Sequence, residues 1–166
     1  MIMVLFTLVV AAQAPDSVRQ ARYERVLKQA TESLDGVRGA SAGFRTDLPS
    51  ASSQLVLARA ERVHTGCRGA DSALLQVDTL LAEGVYSRAA VSEQAQLRRA
   101  TAELRRVLER CQREWTVSQV PTAAAVDSLR AWGPYRTAQL DGALQRYLHS
   151  LRGFMKKAAL RKPAVS

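Results

Sequence analysis

Histidine and cysteine are scarce in this chain: 166 residues hold two of each. That scarcity removes whole classes of chemistry. No Cys-x-x-Cys pair is present, so a thioredoxin-like redox site is excluded, and no Cys-x-x-Cys-His run is present, so covalent haem attachment is excluded too. Only His64 has a glutamate three positions before it, Glu61, while His149 has Arg146 there, so the second Glu-x-x-His pair that a di-metal helical bundle needs is absent. His64 and Cys67 share a helix face and Cys111 would make a third ligand, but a structural zinc site takes four, so no metal is expected. Non-covalent haem needs His or Met ligands, and His64, His149 and Met155 are the candidates. His149 lies two residues from both Tyr147 and Leu151, which turns it away from the apolar stripe of its helix. The chain is read as lacking a nucleophile elbow and a phosphate-cradling glycine loop, so a non-enzymatic protein without a cofactor is expected. Long β-type alternation is absent as well.

Long apolar runs are limited to one, Met1 to Ala12, which carries no charged side chain. It is too short to cross a bilayer core of about 30 Å as a helix. An apolar run followed by small residues reads as a secretory signal with cleavage before Gln13. Residues 1–12 are thus assigned to a signal peptide, 13–160 to a helical domain and 161–166 to a basic tail. The domain is expected to have no transmembrane helix. Arginine supplies nearly all of the basic charge, a bias of GC-rich and chiefly bacterial genomes, so the destination is read as the periplasm or the cell exterior.

Net charge is +9, and it is unevenly spread: after Val117 there are eight basic residues and two acidic ones. A basic surface attracts anionic partners. For an exported protein these are an anionic envelope surface or an acidic protein rather than nucleic acid. The main candidate contact is Arg152, Lys156, Lys157, Arg161 and Lys162, which have no acidic neighbours in sequence and include Phe154, Met155 and Leu160 among them. A second basic row, Arg99, Arg106, Arg110 and Arg113, is interrupted by Glu103 and reads more simply as a solvated helix face.

Apolar or small residues recur at steps of three and four in four segments. They are Tyr23 to Leu48, Val56 to Leu81, Ala90 to Trp115 and Thr137 to Ala158. This period puts one stripe of each helix on a common core. The fold class is therefore all-α. An antiparallel up-down-up-down four-helix bundle is expected, with three helices and a loose fourth segment as the alternative. Pro134, inside Trp132-Gly133-Pro134-Tyr135, predicts that the fourth helix is kinked or broken into 122–132 and 134–160. Gly36, Gly39 and Gly43 in the first helix, with Gly66 and Gly69 in the second, are expected to allow close helix approach.

Cys67 and Cys111 both fall on core stripes, and two thiols in an exported chain imply a disulfide between the second and third helices. Trp115, Trp132 and Tyr135 gather around the break predicted in the fourth helix and are a candidate ligand cleft, or a plug at the end of the bundle. The function expected from all this is an exported structural or interaction protein of the cell envelope. The alternative is a carrier of a small ligand or haem in the bundle interior.

Overall fold

A computed structural model describes residues 16–83, 91–115 and 122–159. Four α-helices account for nearly all of them: α1 Asp16–Arg45, α2 Ser53–Ala82, α3 Val91–Glu114 and α4 Ala123–Ala159. Among the described residues there is no strand. The proposed signal segment and the last residues of the basic tail, including Arg161 and Lys162, lie outside the described residues.

The helices begin and end where local chemistry dictates. Past the end of α1, Asp47 takes a left-handed conformation with φ 48°, which aspartate tolerates better than most residues. The Ser50 amide and hydroxyl both donate to the Asp47 carbonyl, at 3.1 and 3.0 Å, and close the turn. Ser52 then caps α2 by accepting from the Leu55 amide at 3.3 Å, and Thr122 caps α4 by accepting from the Ala125 amide at 3.2 Å. Arg130 of α4 donates to the Ala51 carbonyl at 2.6 Å, so the α1–α2 turn is fastened to the fourth helix.

The apolar stripes build one core. Leu27, Leu34 and Phe44 of α1, Val56, Val63 and Leu74 of α2, Leu97, Leu104 and Leu108 of α3, and Leu140, Leu144 and Leu151 of α4 are all essentially inaccessible to solvent. Each such side chain contributes about 1.5–3 kcal/mol by leaving water. Helix α1 packs on α2 and α4, and α3 packs on α2 and α4. The Cys67–Cys111 disulfide joins α2 to α3 within the core, with Cα atoms 6.3 Å apart and both residues buried.

Two expectations are corrected. Helix α4 is not divided in two: it runs as a single 37-residue helix with Pro134 inside it. Proline removes one amide donor, but the helix on either side is long, and the Thr137 hydroxyl bonds the carbonyls of Gly133 and Pro134 at 2.9 and 3.0 Å. The glycines also divide by helix. A Cβ on Gly66 would lie 3.4 Å from Val37, so α2 does approach α1 closely there. A Cβ on Gly36, Gly39 or Gly43 would meet nothing within 4 Å. Their positions are about 100–160° around α1 from Val37, which faces the core, so they cannot lie on the packed side. Instead they line an open groove of about 540 Å³ with Arg59 and Arg62 of α2.

Gly133 is the glycine that close packing requires. A Cβ there would lie 2.4 and 2.6 Å from ring atoms of Phe44. The sequence offered this position only as part of a helix break.

Candidate functional site

The basic segment at the end of α4 is tied to the rest of the bundle. Arg152 sits 3.8 Å from Asp35 of α1. Lys157 bonds Glu93 in the first turn of α3, and Ser92 donates to the same carboxylate at 2.7 Å. Glu93 is nearly enclosed at 9% exposure. The Lys157 hydrogen bond above all, then the Ser92 hydroxyl, holds its carboxyl down to about 2. The reading of this cluster as lacking acidic neighbours is thereby corrected, because its acids come from other helices, 64 positions away in the case of Glu93. Lys156 is exposed and has no acidic partner among the described residues.

The outer face of α3 has the opposite character. Arg99, Arg106 and Arg110 are exposed, and none has an ion-pair partner among the described residues. Arg113 extends the row and is also exposed. Two groups that would neutralise this face are engaged elsewhere or displaced from it. Glu103 is taken by Arg146 of α4 at 2.5 Å, and Glu114 by Arg136 of α4 at 3.0 Å. Arg105, one residue before Arg106, turns inward instead and meets Asp78 of α2 at 2.8 Å. Tyr147 lies next to that pair; burial first, then the Asp78 charge, pushes its hydroxyl above the usual tyrosine range.

A wide, shallow depression of about 650 Å³ runs over α4 and is lined by Arg38, Arg146, Arg152 and His149. Its arginines are all bound to carboxylates: Arg38 to Asp141 at 3.1 Å, Arg146 to Glu103, and Arg152 to Asp35. An anion entering it would have to displace three internal partners.

The aromatic candidates separate. Trp115 stacks edge-on against Phe44, with ring centroids 4.8 Å apart, and against Trp132, 4.9 Å apart. Tyr135 points outward at 63% exposure, with the Arg136 guanidinium 5.8 Å from its ring. The cavity beside Trp115, Glu114 and Arg136 has a volume of about 10 Å³, at the lower limit for one water.

One spelling escaped the sequence reading. Gly39-Ala40-Ser41-Ala42-Gly43 matches Gly-x-Ser-x-Gly. A nucleophile elbow sits on a sharp turn from strand to helix, with its serine exposed. Ser41 lies inside α1, fully buried, and its hydroxyl has no hydrogen-bond partner among the described residues. Cys67 and Cys111 are committed to each other, so their sulfurs have no ligand role. Among the described residues no group of three His, Cys, Asp or Glu side chains is placed to hold a metal ion. No helix there is long and apolar enough to cross a membrane.

No protein-family model matches the chain, and no curated protein or solved structure is significantly similar to it.

Proposed function

We propose that the chain is an exported, non-enzymatic interaction protein of the bacterial cell envelope that presents a fixed basic surface to an anionic partner. The observation that carries this reading is that Arg99, Arg106 and Arg110 of α3 are exposed and have no ion-pair partner among the described residues, whereas Arg38, Arg105 and Arg136 each have one. Side chains left uncompensated on a rigid helix attract anions without first breaking internal ion pairs. Export is supported by the uncharged segment 1–12 and by the disulfide, since such bonds persist in oxidising compartments.

The scaffold is proposed to run up-down-up-down. Its support is the order of the cross-helix contacts. Between α3 and α4, Glu93, Glu103 and Glu114 meet Lys157, Arg146 and Arg136 in turn, so rising numbers on one helix match falling numbers on the other. Between α1 and α2, Arg22 meets Glu83 while Arg59 reaches the Thr46 carbonyl. A bend of α4 near Pro134 belongs to the same proposal, because the ring crowds the carbonyl of Arg130.

Two measurements test the function. N-terminal sequencing of the protein recovered outside the cytoplasm should begin at Gln13. Recovery from the cytoplasm alone, with two reactive thiols per chain, would remove the export half of the reading. The disulfide-bonded protein should also bind an anionic probe at low salt and release it as salt rises, since exposed charges are screened over about 10 Å at 0.1 M. Failure to bind any anionic vesicle or polymer would remove the other half.

A further inference from the structure

We infer that the outer face of α3 is a docking strip for a linear, phosphate-bearing anionic polymer, with Arg99, Arg106 and Arg110 as its contacts. The inference rests on the anionic-partner reading above and names the partner's class and the side chains that meet it. The arrangement is one-dimensional. At 3.6 residues per turn and 1.5 Å per residue, the three arginines fall within about 40° of one another around the helix and span roughly 16 Å along it. Arg113 carries the same line one turn further. The residue type suits the ligand: a guanidinium stays charged and presents a planar fork of donors that fits a phosphate in two-point fashion.

Three observations favour a polymer over a membrane surface. First, a helix that lies in a lipid interface needs large apolar side chains beside its cations. Between Ser92 and Glu114, among the described residues, no large apolar side chain is exposed; the nearest is Val91, at the start of the helix. Second, the basic segment that does carry apolar neighbours, at the end of α4, has Arg152 and Lys157 held by Asp35 and Glu93. Third, the acid nearest the middle of the strip, Glu103, is drawn aside by Arg146. Glu109 borders the strip, three residues and about 60° around the axis from Arg106, but it has no ion pair with Arg106 or Arg110 among the described residues. A chain with regularly repeated charges can meet all three guanidinium groups at once, whereas a single small anion meets one. Such multi-point contact gains affinity from effective concentration without new chemistry.

The probe is long-chain inorganic polyphosphate, titrated against the disulfide-bonded protein by fluorescence anisotropy at several salt concentrations. Orthophosphate and anionic phospholipid vesicles are run beside it. The test variant carries Arg99→Gln, Arg106→Gln and Arg110→Gln, and the control carries Arg152→Gln, Lys156→Gln and Lys157→Gln. Circular dichroism establishes that each is helical. Loss of three phosphate contacts should weaken polyphosphate binding at least tenfold and flatten the slope of log affinity against log salt by about two units. The control should change it less than threefold. A variant with lysine at the three α3 positions should recover part of the affinity, because charge is restored without the fork. Three outcomes overturn the assignment while leaving the broader reading intact: equal binding by the α3 variant and the unaltered protein, loss only in the α4 control, or vesicle binding without polyphosphate binding. Absence of binding to every probe overturns both.

Discussion

At the level of single residues, the bundle depends most on side chains that sequence spacing does not mark. Gly133 is the clearest. Phe44 fills the space where its Cβ would be, and Phe44 is itself locked edge-on against Trp115. The ring is fully buried, so it cannot swing clear. Gly133→Ala should therefore destabilise the protein by about 1–3 kcal/mol, the usual cost of overpacking. Gly39→Ala should do the reverse, by roughly 0.5–1 kcal/mol, because alanine favours the helix and nothing lies within 4 Å of the new methyl. Urea midpoints of the two variants should fall on opposite sides of the parent; a rise for both would show that helix propensity, not space, governs these sites. Glu93 has a different signature. Its carboxyl titrates near 2 in the folded protein against 4.5 unperturbed, so the folded state binds fewer protons than the unfolded one in that interval. Stability from the Lys157–Glu93–Ser92 clasp is complete above about 4.5 and is lost as pH falls towards 2. Glu93→Gln should lower the urea midpoint at pH 6 and make little difference at pH 2.5. An equal deficit at both values would mean that the glutamine change acts through packing rather than through the lost charge.

At the level of helices, the core was legible and the site was not, for one physical reason. Burial imposes a period, so Tyr23, Leu27, Leu34, Val37 and Phe44 on α1 and Leu97, Leu104, Leu108 and Cys111 on α3 announce their common face before any coordinates exist. The disulfide followed from the same stripes, since both cysteines lie on them. An ion pair between helices has no period. Nothing local connects Arg38 with Asp141, 103 positions away, or Arg105 with Asp78. The C-terminal cluster therefore looked uncompensated in sequence, and the α3 row looked like an ordinary solvated face. Pairing between helices engages Arg152 and Lys157 and leaves Arg99, Arg106 and Arg110 without an ion pair among the described residues. The α1 glycines failed for a related reason: composition suggested close approach, but rotation around the helix decides which residues approach, and Gly36, Gly39 and Gly43 lie away from the Val37 side. Pro134 shows that a residue-level penalty can be absorbed by its element. About 3 kcal/mol of local cost is the ordinary price of an internal proline, yet Leu140, Leu144, Leu151 and Phe154 beyond it are all buried, and Val126 and Leu129 before it are buried too.

At the level of the whole molecule, the Cys67–Cys111 link acts chiefly on the unfolded chain. It joins residues 44 positions apart and so closes a long loop in every unfolded conformation. The chain-entropy relation assigns such a closure about 4 kcal/mol, a large share of the 5–15 kcal/mol by which domains are usually stable. The position of the link matters as well. It joins the α1–α2 side of the bundle to the α3–α4 side. The strip on α3 depends on that docking, because Arg105 and the glutamates that meet α4 must be held away from Arg99, Arg106 and Arg110. Thiol titration of the denatured, unreduced protein should find no free thiol. Replacing both cysteines by alanine should lower the urea midpoint and steepen the transition, since an unlinked unfolded chain exposes more surface and raises the m-value. The stability lost should be about 4 kcal/mol. A lower midpoint with an unchanged m-value would point instead to lost packing around the buried sulfurs, and an unchanged midpoint would mean that core burial alone holds the two halves together. If the midpoint falls and the m-value rises, the double variant should still bind polyphosphate wherever it remains folded, because the link then shapes the unfolded ensemble and leaves the α3 surface as it was.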